Sequence, residues 1–244
     1  MLKMFCRIPI LQVCALLASA LICAQCGCGL KTERTEERPK PSMLEQVLAV
    51  QQGISSEIRS SATIDEAGFE QLRGLRGLEI LALTHADVSD KIADVLSSLD
   101  GLRQIRLEKA TVGDPSARAI GNLPKLSSIN LPNCIISDEG IREWPLLNEL
   151  VLLRIGSPNL SDSAIETVVK MRSLRFLHLI DVPITDVGLK HLYRMEHLES
   201  FYLDGGHSTE DGVTALLEAM PKLHFHRDQQ HLPNDPRGKD HGKH

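Results

Sequence analysis

Leu78-Glu79-Ile80-Leu81-Ala82-Leu83 decides the fold, because this leucine-x-x-leucine-x-leucine frame returns every 24 residues. Its first leucine recurs at Leu102, Leu126, Leu150, Leu174 and Leu198, and a truncated seventh frame starts 25 residues later at Leu223. A register held over 145 residues is the mark of stacked copies of one supersecondary unit. Alternation within the frame puts Leu81 and Leu83 on one face of a short strand, and Ile80 and Ala82 on the other. A further apolar residue follows at the eleventh position: Val88, Val112, Ile136, Leu160 and Ile184. Then comes a polar pair ending in Asp90, Asp114, Asp138, Asp162 or Asp186. Apolar positions at helical spacing close the unit, as in Leu189, Leu192 and Met195, or Ile141 and Trp144. Each unit therefore reads as strand, loop, helix and return, one coil of an α/β solenoid with parallel strands on one side and helices on the other.

Three segments carry a finer signature: Cys134-Ile-Ile-Ser-Asp-Glu-Gly-Ile141, Ile184-Thr-Asp-Val-Gly-Leu189 and Thr209-Glu-Asp-Gly-Val213. This pattern resembles the cysteine-containing subtype of leucine-rich repeats. The resemblance implies a horseshoe arc of about six units over residues 78–226. A helical cap and degenerate repeat precede it over 43–77, including Ile64-Asp65-Glu66-Ala67-Gly68-Phe69. The subtype occurs in F-box adaptors of ubiquitin ligases and in many exported bacterial proteins, so a substrate-recognition adaptor is one function it implies. The chain departs from the subtype where cysteine or asparagine is usual, with Ala86, Ala110, Cys134, Pro158, Val182 and Gly206 at that position. Small apolar packing is expected there, with backbone groups pairing among themselves or with water. Cys134 reads as a buried small hydrophobe, and Trp144 as core.

The chain of 244 residues carries a net charge of −5, which argues against a nucleic-acid partner. Five of its six cysteines lie in the first 28 residues, so the repeats must be stable without internal disulfides. Lys3 and Arg7 precede a 17-residue, mostly apolar run from Ile8 to Ala24, the pattern of an export signal or membrane anchor over 1–28. Cys23, Cys26 and Cys28 are candidates for lipidation there, although none sits in a complete acylation motif. A charged, proline-containing linker over 29–42 reads as a flexible tether. Ser42 and Glu45 then form a capping box that opens the globular part. The expected location is the cell envelope, with the bulk of the chain facing outward. The tail over 227–244, rich in histidine, reads as a short capping strand followed by disorder.

A stack of this kind exposes its strand face, concave in a horseshoe, and that face is the default binding surface. One outward column reads Ala82, Arg106, Asn130, Arg154, His178, Tyr202. Its neighbour reads Ile80, Gln104, Ser128, Leu152, Phe176, Ser200 and is expected to continue to Phe225. Arg106, Asn130, Leu152, Arg154, Phe176, His178 and Tyr202 are thus the candidate contacts for a protein partner. The two arginines suit an acidic one, and an ordinary mixed surface is the plainer alternative. The repeated aspartates suggest a calcium edge. A plainer role is to cap the helices they begin, accepting their free backbone N–H groups. Gly140, Gly188 and Gly212 read as close packing. Nucleophile-elbow, Walker, dinucleotide and His-Glu-x-x-His motifs do not occur. His178 with Asp181 nearby is a weak imitation of a base and its orienter. The expectation is a monomeric, non-catalytic binding module without metal or cofactor, with a structural envelope role as the other alternative.

Overall fold

The computed structural model describes residues 40–228 and 230–231. The signal or anchor with Cys23, Cys26 and Cys28, most of the linker, and the tail from 232 lie outside them. The chain opens with α1 (Met43–Gln51), whose capping box forms as its sequence dictates. Glu45 N donates to Ser42 Oγ at 3.3 Å, and Ser42 N donates to the Glu45 carboxylate at 2.7 Å. Val47 and Val50 of this helix close the first coil of the core.

The sheet begins one unit before the first full frame. Strand β1 (Glu57–Ile64) pairs in parallel with β2 (Ile80–Ala86). There follow β3 (Gln104–Leu107), β4 (Ser128–Leu131), β5 (Leu152–Ile155), β6 (Phe176–Ile180), β7 (Ser200–Asp204) and β8 (His224–Arg227). All eight are parallel and lie in sequence order in one open sheet. Two residues, β9 (Gln230–His231), then turn back and pair antiparallel with Arg227 and His226. The fold is therefore a leucine-rich-repeat solenoid of the α/β class. Its inward strand residues, Leu81, Ile105, Ile129, Leu153, Leu177, Phe201 and Phe225, are all buried. Burying each one contributes about 1.5–3 kcal/mol, so the core grows by a similar increment with each coil.

The helical side is less uniform. It comprises α2 (Glu66–Glu70), α3 (Ala93–Ser97), α4 (Asp114–Gly121), α5 (Asp162–Val168), α6 (Asp186–Leu192) and α7 (Glu210–Ala219). The unit beginning at Leu126 departs from the expected helix and makes only a 3-10 turn, Trp144–Leu146. Pro145 in that turn has no N–H to give an α-helical bond. Trp144 fills the space with its full volume, wholly buried, and its Nε1–H donates to Ala117 O at 2.9 Å.

The aspartates do something other than cap their own helices. Each carboxylate crosses to the next coil. Asp114 accepts from Ser137 N (2.7 Å) and Ser137 Oγ (2.7 Å), and Asp138 from Ser161 N (2.8 Å) and Oγ (2.5 Å). Asp162 takes Thr185 N (2.8 Å) and Oγ1 (2.6 Å), and Asp186 takes Thr209 N and Oγ1, both at 2.8 Å. Asp90 accepts from the backbone of Gly113 and Ser116. The helix caps are the hydroxyls themselves: Ser161 Oγ accepts from Ser163 N, Thr185 Oγ1 from Val187 N and Thr209 Oγ1 from Gly212 N. One hydroxyl thus donates backward to a carboxylate and accepts forward from its own helix. The glycines explain themselves in the same place. A Cβ on Gly140, Gly188 or Gly212 would lie 2.4, 2.4 or 2.0 Å from the Asp114, Asp162 or Asp186 carboxylate, which leaves no room for a side chain.

The subtype's cysteine position is packed as expected at Ala86, Ala110, Cys134 and Val182, all buried. Pro158 is exposed instead, and buried Ser157 takes over, donating from Oγ to Ile136 O at 2.7 Å. Cys134 lies against Gly156 O (3.3 Å), and burial pushes its thiol up to about 11.

Four outcomes test this architecture. Asp162→Ala should cost about 1–3 kcal/mol in chemical denaturation by leaving Thr185 N–H without its acceptor. Gly188→Ala should be destabilising alone but much less so in the Asp162→Ala background, a coupling of about 0.5–3 kcal/mol in a double-mutant cycle. The backbone amide of Thr209, and then its hydroxyl, hold the Asp186 carboxyl below its ordinary value of 3.8. A lowered folded value gives stability present above the unfolded value and lost as pH falls through the folded one. The stability difference between the native chain and Asp186→Asn should therefore shrink between about pH 6 and pH 2. Finally, mass spectrometry after iodoacetamide at about pH 8 should find Cys134 unmodified in the folded chain and alkylated once denaturant is added, since the thiolate is the nucleophile.

Candidate functional site

The outward columns form in the predicted register. Across the ladder, Ala82, Arg106, Asn130, Arg154, His178 and Tyr202 stand side by side on successive strands, as do Ile80, Gln104, Ser128, Leu152, Phe176 and Ser200. Adjacent strands lie about 4.8 Å apart, so the side chains of each column touch or nearly touch. The exception is the last member. Phe225 points inward against Phe201, ring centroids 5.4 Å apart, and is fully buried. His224 pairs with Ser200 and His226 with Tyr202. The seventh frame is one residue longer than the others up to Leu223, then enters its strand one residue sooner. The sheet thus keeps its 24-residue step while the leucine spacing does not.

Leu152 and Phe176 form a cross-strand apolar pair, 37% and 38% exposed, which is unusual for large hydrophobic side chains on neighbouring strands. Beside them runs a hydrogen-bonded row that spans four strands. Arg154 Nη1 donates to Asn130 Oδ1 at 3.0 Å, and Arg154 Nε donates to His178 Nδ1 at 3.2 Å. His178 Nε2 meets Asp204 Oδ2 at 2.8 Å. Because Nδ1 accepts from a guanidinium, the imidazole carries its proton on Nε2 and donates it to the carboxylate. Asp181, the orienter suggested by the sequence, instead sits in the turn after β6 with φ 51°, its amide donating to Asp204 O. The acidic partner of His178 is thus 26 residues away rather than three.

The row continues into an aromatic cluster. Tyr202 stacks on His226 (centroids 4.3 Å, 11° between planes) and lies 5.4 Å from the His178 ring. His224 meets His226 edge to face, with their Nε2 atoms 3.0 Å apart. Asp204 is half-buried and His224 and His226 are buried beside the row, and none of the three was placed on the sheet face from sequence. Adding 24 to Tyr202 finds His226, and adding 24 to Ser200 finds His224. The misleading signal was the 25-residue step to Leu223.

Charge on this face is smaller than the residue types imply. Arg106 is held by Glu108 two residues on, through Nε at 2.8 Å and through a second, shorter contact from Nη2. Arg154 is engaged by Asn130 and His178. Glu108 balances the Arg106 charge, whereas the neutral amide and imidazole engage only two of the five N–H donors of Arg154 and leave its charge in place. Among the described residues no cluster of three or more His, Cys, Asp or Glu side chains is placed to hold a metal ion. The aspartates that suggested a calcium edge have their oxygens occupied by the next coil.

No protein-family model matches the chain, and no curated protein does. Among solved structures it is similar to an internalin of Listeria monocytogenes, at 17% identity over 66% of this chain and 57% of that one, with a TM-score of 0.40. It is also similar to a leucine-rich-repeat protein of Leptospira interrogans, at 14% identity over 67% and 51%, with a TM-score of 0.43. The chain spans about half the length of these structures, and each likeness concerns the fold alone.

Proposed function

We infer that the exposed face of the sheet is the docking surface for a protein partner, and that the molecule works by binding rather than turnover. The observation that carries this reading is the Leu152–Phe176 pair, two large apolar side chains left open to solvent within a face whose other groups already hold one another. An interface takes its energy from a few apolar and aromatic anchors excluded from water, while preordered neighbours lower the entropy cost of docking. Asn130, Arg154, His178 and Tyr202 are such neighbours: their geometry is fixed before a partner arrives. What they offer is an ordered rim and hydrogen-bonding capacity around the apolar pair, with little net charge.

The reading extends to place. The basic start, the apolar run Ile8–Ala24, the cysteines at 23, 26 and 28 and the charged linker support an exported chain held at the cell envelope, with the repeats presented away from the surface. No helix among the described residues is long and apolar enough to cross a membrane. Attachment in this reading belongs to the N-terminal segment.

The test uses the full-length chain and its Leu152→Asp, Phe176→Asp double variant. Both substitutions fall on exposed positions, so thermal unfolding should move by no more than a degree or two. Cross-linked capture from envelope fractions should retain a partner with the native chain and lose it with the variant. Equal capture by both would remove the sheet face from the account.

A further inference from the structure

Some cations elsewhere on the molecule are neutralised in place and others stand singly. Arg59, Arg73, Arg103, Arg142, Arg175 and Arg227 each lie within 4.0 Å of a carboxylate. One region gathers three unpaired cations around a single groove. Away from the sheet face, a groove of about 550 Å³ opens where α5 and α6 run out into their returns, lined by Glu166, Lys170, Arg172, His191, Arg194 and His197. Its single lining carboxylate, Glu166, already faces His191 Nε2 at 3.4 Å. His197 Nε2 sits 3.4 Å from Met171 O. Lys170, Arg172 and Arg194 form no ion pair with any described residue, and all three are exposed.

The repeat geometry explains how they converge. Lys170 and Arg194 are 24 residues apart and hold the same place on adjacent coils, so the strand step that aligns the sheet face also aligns these two ammonium and guanidinium stems. Arg172 enters from the same return as Lys170. Three like charges in one groove repel one another, and a chain with a net charge of −5 has carboxylates to spare, yet Glu166 is the one carboxylate among the lining residues.

We propose that this groove binds a phosphate group. One carboxylate would balance only one of the three cations, whereas a phosphate monoester brings about −1.5 to −2 charges and three acceptor oxygens on one small centre. The arginine fork matches such an oxyanion in two-point contact, and the lysine adds a mobile point charge. The site stands apart from the sheet face and uses none of its residues. The same chemistry is available from a soluble phosphorylated compound and from a lipid headgroup.

The experiment compares the full-length chain with a Lys170→Ala, Arg172→Ala, Arg194→Ala variant. A control, Arg118→Ala, Lys125→Ala, Lys222→Ala, removes the same charge from exposed cations elsewhere. Titration calorimetry with inorganic pyrophosphate reads the soluble source. Flotation with phosphatidylcholine vesicles, with and without phosphatidic acid, reads the headgroup. The groove variant should bind the phosphate probe at least tenfold more weakly at 100 mM salt, and the control within about twofold of the native chain. Loss confined to the pyrophosphate arm assigns a soluble ligand, and loss confined to the vesicle arm assigns a headgroup. Equal binding by native and groove variant, an equal loss in the control, or no binding of either probe by the native chain would each overturn the proposal.

Discussion

A carboxylate that leaves its own coil to bond the next one is the constraint on which the remaining structure depends. In a solenoid each unit touches only its neighbours, so every element of stability must be renewed at each step. On the strand side the backbone ladder renews itself, because parallel strands of equal step pair without regard to side chain. In the interior the leucines do the same by volume. The loop side has sparser backbone bonding, such as Thr111 N to Val88 O, Ile135 N to Val112 O and His207 N to Ile184 O. There Asp114, Asp138, Asp162 and Asp186 accept both an amide and a hydroxyl from the following unit, and at Ser161, Thr185 and Thr209 that hydroxyl caps the following helix. Helix start, loop position and inter-coil spacing are thereby fixed by one group, and glycine on the following coil, 26 residues after the aspartate, becomes a steric necessity in three units.

A fixed step on all three sides has a consequence for the exposed face. Side chains 24 residues apart are forced into columns, so any chemistry on the face is chemistry between neighbours in a column or across one strand. The Asn130–Arg154–His178–Asp204 row is built that way, and so is the Tyr202–His226 stack. Hydrogen bonding within the row engages two donors of the guanidinium and both imidazole nitrogens. The outcome is a preordered face whose open feature is apolar, although its composition reads as charged and polar. The groove on the other side shows the converse. The same columnar step brings Lys170 and Arg194 together there, with Glu166 the one carboxylate among the lining residues.

Periodic information was legible in the sequence, and directional information was not. Which strand residues point inward follows from alternation, and Leu81 through Phe201 are buried as that rule requires. The capping box at Ser42 and Glu45 follows from local spacing. Where a side chain has two possible partners at similar reach, sequence pattern does not decide. The aspartates could have capped their own helices, but the adjacent serine or threonine does so with a shorter arm, freeing the carboxylate to reach across. Arg106 could have stood open to an acidic ligand, but Glu108 lies on the same strand face two residues on. His178 found Asp204 on the next strand rather than Asp181 beyond a turn. A count of leucine spacing also misplaced Phe225, since hydrogen bonding and not the leucine sets strand register.

Native-state hydrogen exchange on the amides of Ser137, Ser161, Thr185 and Thr209 tests the central claim most directly. Ser161, Thr185 and Thr209 precede helices and Ser137 precedes a turn, and all four lie outside regular secondary structure, where amides ordinarily exchange at the low-stability end of the range. If carboxylates from the preceding coils hold them, they should exchange as slowly as the strand amides of the same units. Exchange at the rate of ordinary surface turns, with the strands still protected, would contradict the account and leave the stack held by leucine and backbone alone.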